Sequence, residues 1–196
     1  MCSGSWPRLM YRKVGGIEIT KNINLQCKEC QRVYDEEPVY VCEYCFGPLE
    51  VMYDYDNISR TISRDKISDG PNNLWRYDDL LPGSREQAVN IGAGMTPLLK
   101  ANNLGRELGL SDLWIKNDSA NPTHSFKDRV VSVATTKALE FKFETIACAS
   151  TGNLAGATAA HGAKAGLKTI VFVPEDLEEG KIVGAAIFGS VVKVRG

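Results

Sequence analysis

The sequence predicts an α/β fold, a parallel twisted sheet with flanking helices, preceded by a small β-rich module of the zinc-ribbon kind. After Gly94, short apolar strand segments alternate with helical segments, a pattern typical of a parallel sheet covered by helices on both faces. Before it, four cysteines form two C-x-x-C pairs among β-forming residues. The predicted units are residues 1–56 for the small module, 57–94 for a connecting segment and 95–196 for the α/β domain.

The composition excludes several classes of protein. With 43% hydrophobic and 24% charged residues, the chain can bury a core and does not resemble a disordered protein. Its longest apolar run is four residues, against roughly 18 for a membrane-spanning helix, so we expect no membrane insertion. The net charge of -1 supplies no positive field for nucleic acid. The N-terminus lacks secretory or transit-peptide character, so a cytoplasmic location is expected.

The strongest local pattern in the first half is the cysteine set Cys27, Cys30, Cys42 and Cys45. A pair spaced by two residues can wrap one Zn²⁺, and two such pairs complete a closed four-thiolate site with no open position for chemistry. Three alternatives remain open: disulfides, which a reducing cytoplasm disfavours, a ribbon without metal, and a redox pair, which a βαβ pattern would normally surround. The spacing favours metal.

The other elements follow in chain order. Residues 49–53 alternate as a strand and end the small module, and the connecting segment is rich in Asp, Asn, Ser, Pro and Gly, with an apolar island around Trp75 that can dock onto a larger body. Strands are predicted at 113–117, 145–149, 169–173 and 191–194, and helices from Ser125, over 154–165 and between Pro174 and Gly189. The first of these strands is expected to be buried. Ser125 and Asp128 resemble a capping box at the first of these helices.

The turn at residues 121–129, N-P-T-H-S-F-K-D-R, is the first place where a ligand is expected, because ligands collect where strands of a parallel sheet lead into helices. Lys127 falls in the first helical turn, where the helix dipole favours the neutral amine of a Schiff-base-forming lysine. Asp128 and Arg129 beside it complicate that effect, and a solvated lysine is the alternative. His124 in the same turn could approach a phosphate group of a ligand, but bonding to backbone groups is favoured for it.

The turn at residues 150–153, S-T-G-N, is the second such place. Gly152 lets the backbone approach a ligand closely, and N–H groups at the start of a helix suit a carboxylate or phosphate. An N-cap without a ligand is the alternative. On the helix that follows, His161 is interpreted as a packing or surface residue.

Together these motifs resemble threonine synthase. The resemblance rests on residues 121–129, on A-C-A-S-T-G-N-L at 147–154, on G-M-T-P-L at 94–98 and on L-W-R-Y at 74–77, and it runs from about Leu25 to the last residue. That family belongs to the pyridoxal-phosphate (PLP) enzymes of the tryptophan synthase β-subunit fold, called fold type II. The cysteine ribbon resembles the N-terminal extension that many bacterial and archaeal members carry.

The resemblance implies roles for individual residues. Lys127 matches the lysine that bonds covalently to PLP and later shuttles protons, and Phe126 lies beside it near the cofactor ring. Asn153 matches the asparagine that hydrogen-bonds the PLP 3′-oxygen. The residues that match the loop holding the substrate α-carboxylate are Ser150, Thr151 and Gly152. The implied reaction is a β,γ-replacement that turns O-phospho-L-homoserine and water into L-threonine and phosphate. The implied ligands are a small-molecule substrate and PLP, to which the cysteine spacing adds a structural zinc ion, and a homodimer is compatible with the full-length enzyme.

In this fold the glycine-rich loop around the PLP phosphate, and a hydroxyl residue at the pyridine nitrogen, come from later in the chain. We therefore expect an N-terminal or truncated form of the enzyme, incomplete as a fold-type II domain, with weak PLP binding and little or no activity by itself. The alternatives are a cysteate synthase, a threonine or serine dehydratase and a non-catalytic binding protein. A zinc-ribbon nucleic-acid binder is disfavoured by the charge balance.

Overall fold

The computed structural model describes residues 23–195, so residues 1–22, the first part of the predicted small module, lie outside the described residues, as does Gly196. The strands are β1 (Asn24–Cys27), β2 (Val33–Tyr34), β3 (Leu49–Met52), β4 (Leu98–Lys100), β5 (Trp114–Lys116), β6 (Thr145–Ala149), β7 (Lys168–Pro174) and β8 (Ser190–Val194). The α-helices are α1 (Tyr55–Thr61), α2 (Arg64–Ser68), α3 (Asn102–Leu108), α4 (Lys127–Glu140), α5 (Asn153–Ala165) and α6 (Glu179–Ala186). Short 3-10 helices occupy Leu74–Leu80, Arg85–Gln87 and Asp118–Ala120. None of these helices combines the length and the apolar character that crossing a membrane requires.

A three-stranded parallel sheet in the order β6-β7-β8 forms the centre of the α/β domain, as the alternating pattern predicts. The core lies on one face of this sheet, where Val171 and Val173 of β7 pack against Ala155 and Ala159 of α5 and against α6. On the other face Phe172 keeps 37% of its surface exposed. In the described residues, helices therefore cover one face of the sheet, whereas cover on both faces was expected.

The strand predicted at 113–117 does not join that sheet. Its observed part, β5, pairs antiparallel with β4 in a separate two-stranded sheet, with Leu99 opposite Ile115. All residues of β5 are exposed, so the expectation of a buried strand is wrong. An apolar run of this length is compatible with any pairing, and the three-residue β4 is too short to show the alternation that would reveal its partner.

The part of the small module that the structure describes, residues 23–56, contains a three-stranded antiparallel sheet in the order β2-β1-β3. Helix α1 follows directly, because the Asp54 side chain accepts a hydrogen bond from the Asn57 N–H at 2.9 Å and caps the helix. The module also contacts α4, since Glu36 Oε1 lies 2.6 Å from Lys137 Nζ. The proposed boundaries between the three units stay predictions.

The connecting segment docks on α4 through a buried tryptophan. Trp75 is 1% exposed, and its indole N–H donates to Ser132 Oγ at 3.0 Å. The Ser132 hydroxyl in turn donates to the Val89 carbonyl at 2.7 Å, while the Val89 N–H donates to Thr136 Oγ1 at 2.9 Å. A segment with little regular structure is thereby held by hydrogen bonds to one face of a helix.

Helix α5 packs its small residues so closely that one glycine position has no room for a methyl group. A Cβ at Gly162 would lie 2.0 Å from Thr169 Oγ1 and 3.0 Å from Ile146 Cγ2. At Gly156, in the same helix, the nearest atom would be the Gly184 carbonyl oxygen at 3.8 Å.

We expect Gly162→Ala to lower the free energy of unfolding by about 1–3 kcal/mol, because the stiff Thr169 side chain must shift. Gly156→Ala is the matched control and should gain about 0.5–1 kcal/mol from helix propensity. Urea unfolding followed by circular dichroism measures both values. Equal effects of the two substitutions would contradict the close approach of α5 to β7.

Candidate active site and metal centre

The two turns predicted to hold a ligand lie on one cleft of about 680 Å³. The lining includes His124 from the first turn and residues 151–153 from the second. A third element, the start of α6, contributes Lys181, which sequence reasoning left without a role. Lys181 could have been identified from the sequence, because α6 follows the carboxyl end of β7 and ligands of a parallel sheet collect at the carboxyl ends of its strands.

Lys127 is the first residue of α4 and does not line this cleft. Its Nζ lies 4.8 Å from the centre of the Phe126 ring, and that ring is 56% exposed. Ser150 also lies outside the lining, although its Oγ accepts a hydrogen bond from the Gly152 N–H at 3.3 Å. Of the predicted site residues, the cleft thus brings together Thr151, Gly152 and Asn153.

A buried carboxylate shapes the first turn. Asp128 has no exposed surface and accepts hydrogen bonds from the Thr123 N–H at 2.7 Å and the Thr123 hydroxyl at 2.8 Å. The predicted capping box between Ser125 and Asp128 is therefore wrong. Ser125 Oγ accepts from the Lys127 N–H instead, at 3.2 Å. The positive φ of 60° at His124 bends the turn, so that Thr123 rather than Ser125 meets the Asp128 carboxylate.

Both histidines are bonded to backbone carbonyls. His124 Nδ1 lies 3.3 Å from the Ser119 oxygen, in agreement with the favoured interpretation. His161 is a fully buried packing residue whose Nδ1 lies 2.9 Å from the Ala157 oxygen and 3.7 Å from the Asp128 carboxylate. Burial lowers the pKa of His161, although the Ala157 carbonyl and the Asp128 charge act in the opposite direction. Because a carbonyl only accepts, the neutral ring carries its proton on Nδ1.

A second polar cluster joins residues 94–98 to α4. Arg129 binds the Asp118 carboxylate with two nitrogens, at 2.9 and 3.2 Å, and the Thr96 hydroxyl donates to the same carboxylate at 2.6 Å. The hydrogen bonds from Arg129 and Thr96 lower the pKa of Asp118. Sequence reasoning gave neither Asp118 nor Thr96 a role, although Asp118 is a polar residue shortly after β5 and Thr96 belongs to the G-M-T-P-L motif at 94–98.

The second turn leaves the start of α5 open to the cleft. Gly152 is the N-cap residue, and no side chain accepts from the first helical N–H groups there. A Cβ at Gly152 would meet nothing within 4 Å. The N-cap residue is therefore a glycine, which has no side chain that could satisfy these N–H groups. The positive end of a 13-residue helix borders the cleft, as binding of a carboxylate or phosphate requires.

The four cysteines of the small module meet at one point. Their sulfur atoms lie within 4.8 Å of one another, and the pairs Cys27–Cys45 and Cys30–Cys42 are separated by 3.4 and 3.5 Å. A tetrahedral zinc site with Zn–S bonds of about 2.3 Å needs sulfur separations of about 3.8 Å. All four are free thiols, which contradicts the disulfide alternative. The donor set fits a zinc ion, and the cluster could hold one.

One of these thiols ionises more readily than usual. Burial acts to raise the pKa of Cys42, but hydrogen bonds from the Tyr34 hydroxyl and from the backbone N–H groups of Cys45 and Tyr44 lower it to about 6. A thiolate is the form that binds metal.

Comparison with known proteins agrees with the motif analysis. Residues 89–196 match the family described as "Pyridoxal-phosphate dependent enzyme". The chain is 42% identical over 175 residues to a threonine synthase of Methanocaldococcus jannaschii and 42% identical over 176 residues to one of Methanosarcina acetivorans. A threonine synthase of Halalkalibacterium halodurans is 43% identical over 126 residues, which are 63% of this chain and 35% of that protein. The first two alignments cover 87% and 88% of this chain and 43% of each relative, so the chain spans less than half the length of those proteins.

The buried Asp128 carboxylate is expected to hold the first turn in place. Asp128→Ala removes both acceptors and should lower the free energy of unfolding by about 2–4 kcal/mol, because the Thr123 N–H loses a charged partner. Asp128→Asn keeps one acceptor oxygen and should cost less. Urea unfolding gives the free energies, and hydrogen exchange at the Thr123 amide locates the change. An Ala variant with unaltered exchange at that amide would show that the turn does not depend on Asp128.

The Asp118 ion pair should make stability depend on acid pH. Because its folded-state pKa is lowered, the pair contributes fully above the unfolded value of about 3.9, and the contribution is lost as the pH falls through the folded value. Arg129→Met should therefore flatten the decline in stability below about pH 4. Arg195→Met is the control, since it removes a guanidinium that is 84% exposed. Thermal unfolding as a function of pH distinguishes the two, and parallel profiles would contradict the role of Arg129.

Proposed function

Because the chain belongs to the family of pyridoxal-phosphate dependent enzymes, we propose that it forms the lysine-bearing part of a threonine synthase. The proposed reaction converts O-phospho-L-homoserine and water to L-threonine and phosphate, as a carbon–oxygen lyase acting on phosphate. The observation that carries the proposal is the convergence of the two turns on one cleft beside the uncapped start of α5.

The residues of the cleft suit the cofactor and an amino-acid substrate. The Asn153 amide can donate to the 3′-oxygen of PLP, and Thr151 and the uncapped start of α5 can donate N–H groups to the substrate carboxylate. The Ser150 N–H donates to the Phe172 carbonyl at 3.2 Å instead. Lys181 of α6 adds a cation to the lining of the cleft, which suits a substrate phosphate. Bound PLP supplies storage for electrons while protons leave carbon.

Lys127 is proposed to bond to the cofactor and then to carry protons on its Nζ. Its side chain must turn from the Phe126 ring toward the cleft, because Nζ is not among the lining atoms. The backbone of this first turn is held by Asp128 and Ser125, so the lysine side chain can move while its helix stays in place.

Titration with PLP tests the role of Lys127. Because weak binding is expected, we predict a visible absorption band that saturates only at high PLP concentration. The band should be lost in Lys127→Ala and kept in Lys164→Ala, which removes an exposed lysine of α5. Borohydride reduction followed by peptide mass spectrometry should place the cofactor on Lys127. Labelling spread evenly over surface lysines, or a band that survives in Lys127→Ala, would contradict this role.

Phosphate release from O-phospho-L-homoserine tests the reaction separately. The chain would be extended with the part of the Methanocaldococcus jannaschii threonine synthase that follows the matched 175 residues. We expect this protein to release phosphate and Lys127→Ala to lower the rate by on the order of 1,000-fold. A folded protein that binds PLP at Lys127 and releases no phosphate would contradict the reaction and leave the cofactor site standing.

A further inference from the structure

The Tyr34 hydroxyl connects the four-cysteine cluster to the backbone of the turn that carries two of the cysteines. Tyr34 Oη lies 3.0 Å from Cys42 Sγ and 3.0 Å from the backbone nitrogen of Glu43. Its strand, β2, pairs with β1, with Tyr34 opposite Leu25, and β1 ends at Cys27. The hydroxyl is therefore held between a strand and a cysteine turn, not on a free surface.

The chemistry of the three groups sets the direction of both hydrogen bonds. The Glu43 N–H can only donate, so Tyr34 Oη accepts from it. The hydroxyl proton then remains available for Cys42 Sγ. A metal-bound thiolate carries no proton and can only accept, so this chain of two hydrogen bonds suits a sulfur that holds metal. Bonds arranged in series in this way also strengthen each other.

No other residue between 23 and 195 has a side chain that hydrogen-bonds to a sulfur of the cluster from outside the four cysteines. Cys42 is also fully buried, so water does not compete for this sulfur. The contact singles out one of the four metal-ligating positions.

We propose that Tyr34 is a positioning residue of the metal centre. Its hydrogen bond orients Cys42 and raises the affinity of the cluster for a tetrahedral divalent metal such as zinc. Partners of metal ligands commonly contribute about 10- to 100-fold in affinity. The inference depends on metal binding by the cysteines and is independent of the proposed reaction.

Competition for Zn²⁺ between the whole chain and a chromogenic chelator tests the affinity. Tyr34→Phe keeps the ring and removes only the hydroxyl, and we expect it to weaken zinc binding by about 10-fold or more. Tyr40→Phe is the matched control from the same module, because Tyr40 is 84% exposed, and it should bind as the unaltered chain does.

The Co²⁺-loaded chain supplies a readout that a merely structural role would not move. Removing a hydrogen bond raises the energy of the sulfur lone pairs, so the sulfur-to-cobalt charge-transfer band should move to lower energy in Tyr34→Phe. Incorporating fluorotyrosine, which keeps the shape and strengthens the donor, should move the band to higher energy.

Three results would overturn the proposal. The first is unchanged zinc affinity together with an unshifted cobalt band in Tyr34→Phe. The second is an unaltered chain that takes up neither metal. The third result applies if Tyr34→Phe does not fold. It is a sulfur-to-cobalt charge-transfer band that does not move when fluorotyrosine is incorporated. None of these measurements requires PLP or substrate.

Discussion

The buried carboxylate of Asp128 is the interaction on which the candidate site depends. A carboxylate without contact to water is costly unless it is hydrogen-bonded, and here both of its bonds go to Thr123, five residues earlier in the chain. These two hydrogen bonds fix the conformation of the first turn where it leads into α4. The same carboxylate faces His161 of α5 at 3.7 Å, so it also lies where the two helices that begin at the cleft pack together.

The parts of the fold that the sequence predicts well are those with a local cause. The β6 strand at Thr145–Ala149 agrees with its prediction because its apolar run is bounded on both sides, and α5 ends where Gly166 takes a φ of +71°. No local feature of the sequence determines which strand pairs with β5, since an apolar strand of three residues fits a parallel or an antiparallel neighbour equally well. The same reason explains why the predicted capping box is wrong. Which residue bonds to Asp128 depends on where the turn folds back, and not on sequence spacing alone.

In the candidate site, too, the features with a local cause were predictable from the sequence. Rules about strand ends and helix starts place residues 151–153 at the cleft, and cysteine spacing places four sulfurs together. The direction in which a side chain points could not be predicted from the sequence. Lys127 occupies the predicted position on α4 while its amine rests over the Phe126 ring, a choice between rotamers that sequence does not encode. The Tyr34 contact belongs to the same class, because it joins residues eight positions apart through a turn.

The metal centre and the cleft are connected through α4, but at opposite ends of it. Glu36, in the loop between the two cysteine pairs, and Glu140 both bind Lys137, and their hydrogen bonds raise its pKa even though burial acts to lower it. Lys137 is ten residues beyond Lys127, which at about 1.5 Å per residue places it roughly 15 Å along the helix axis. Four thiolates around one zinc ion would leave no coordination position for a substrate. In the described part of the chain, the small module therefore reaches the helix that carries Lys127 through Glu36, at the end far from that lysine.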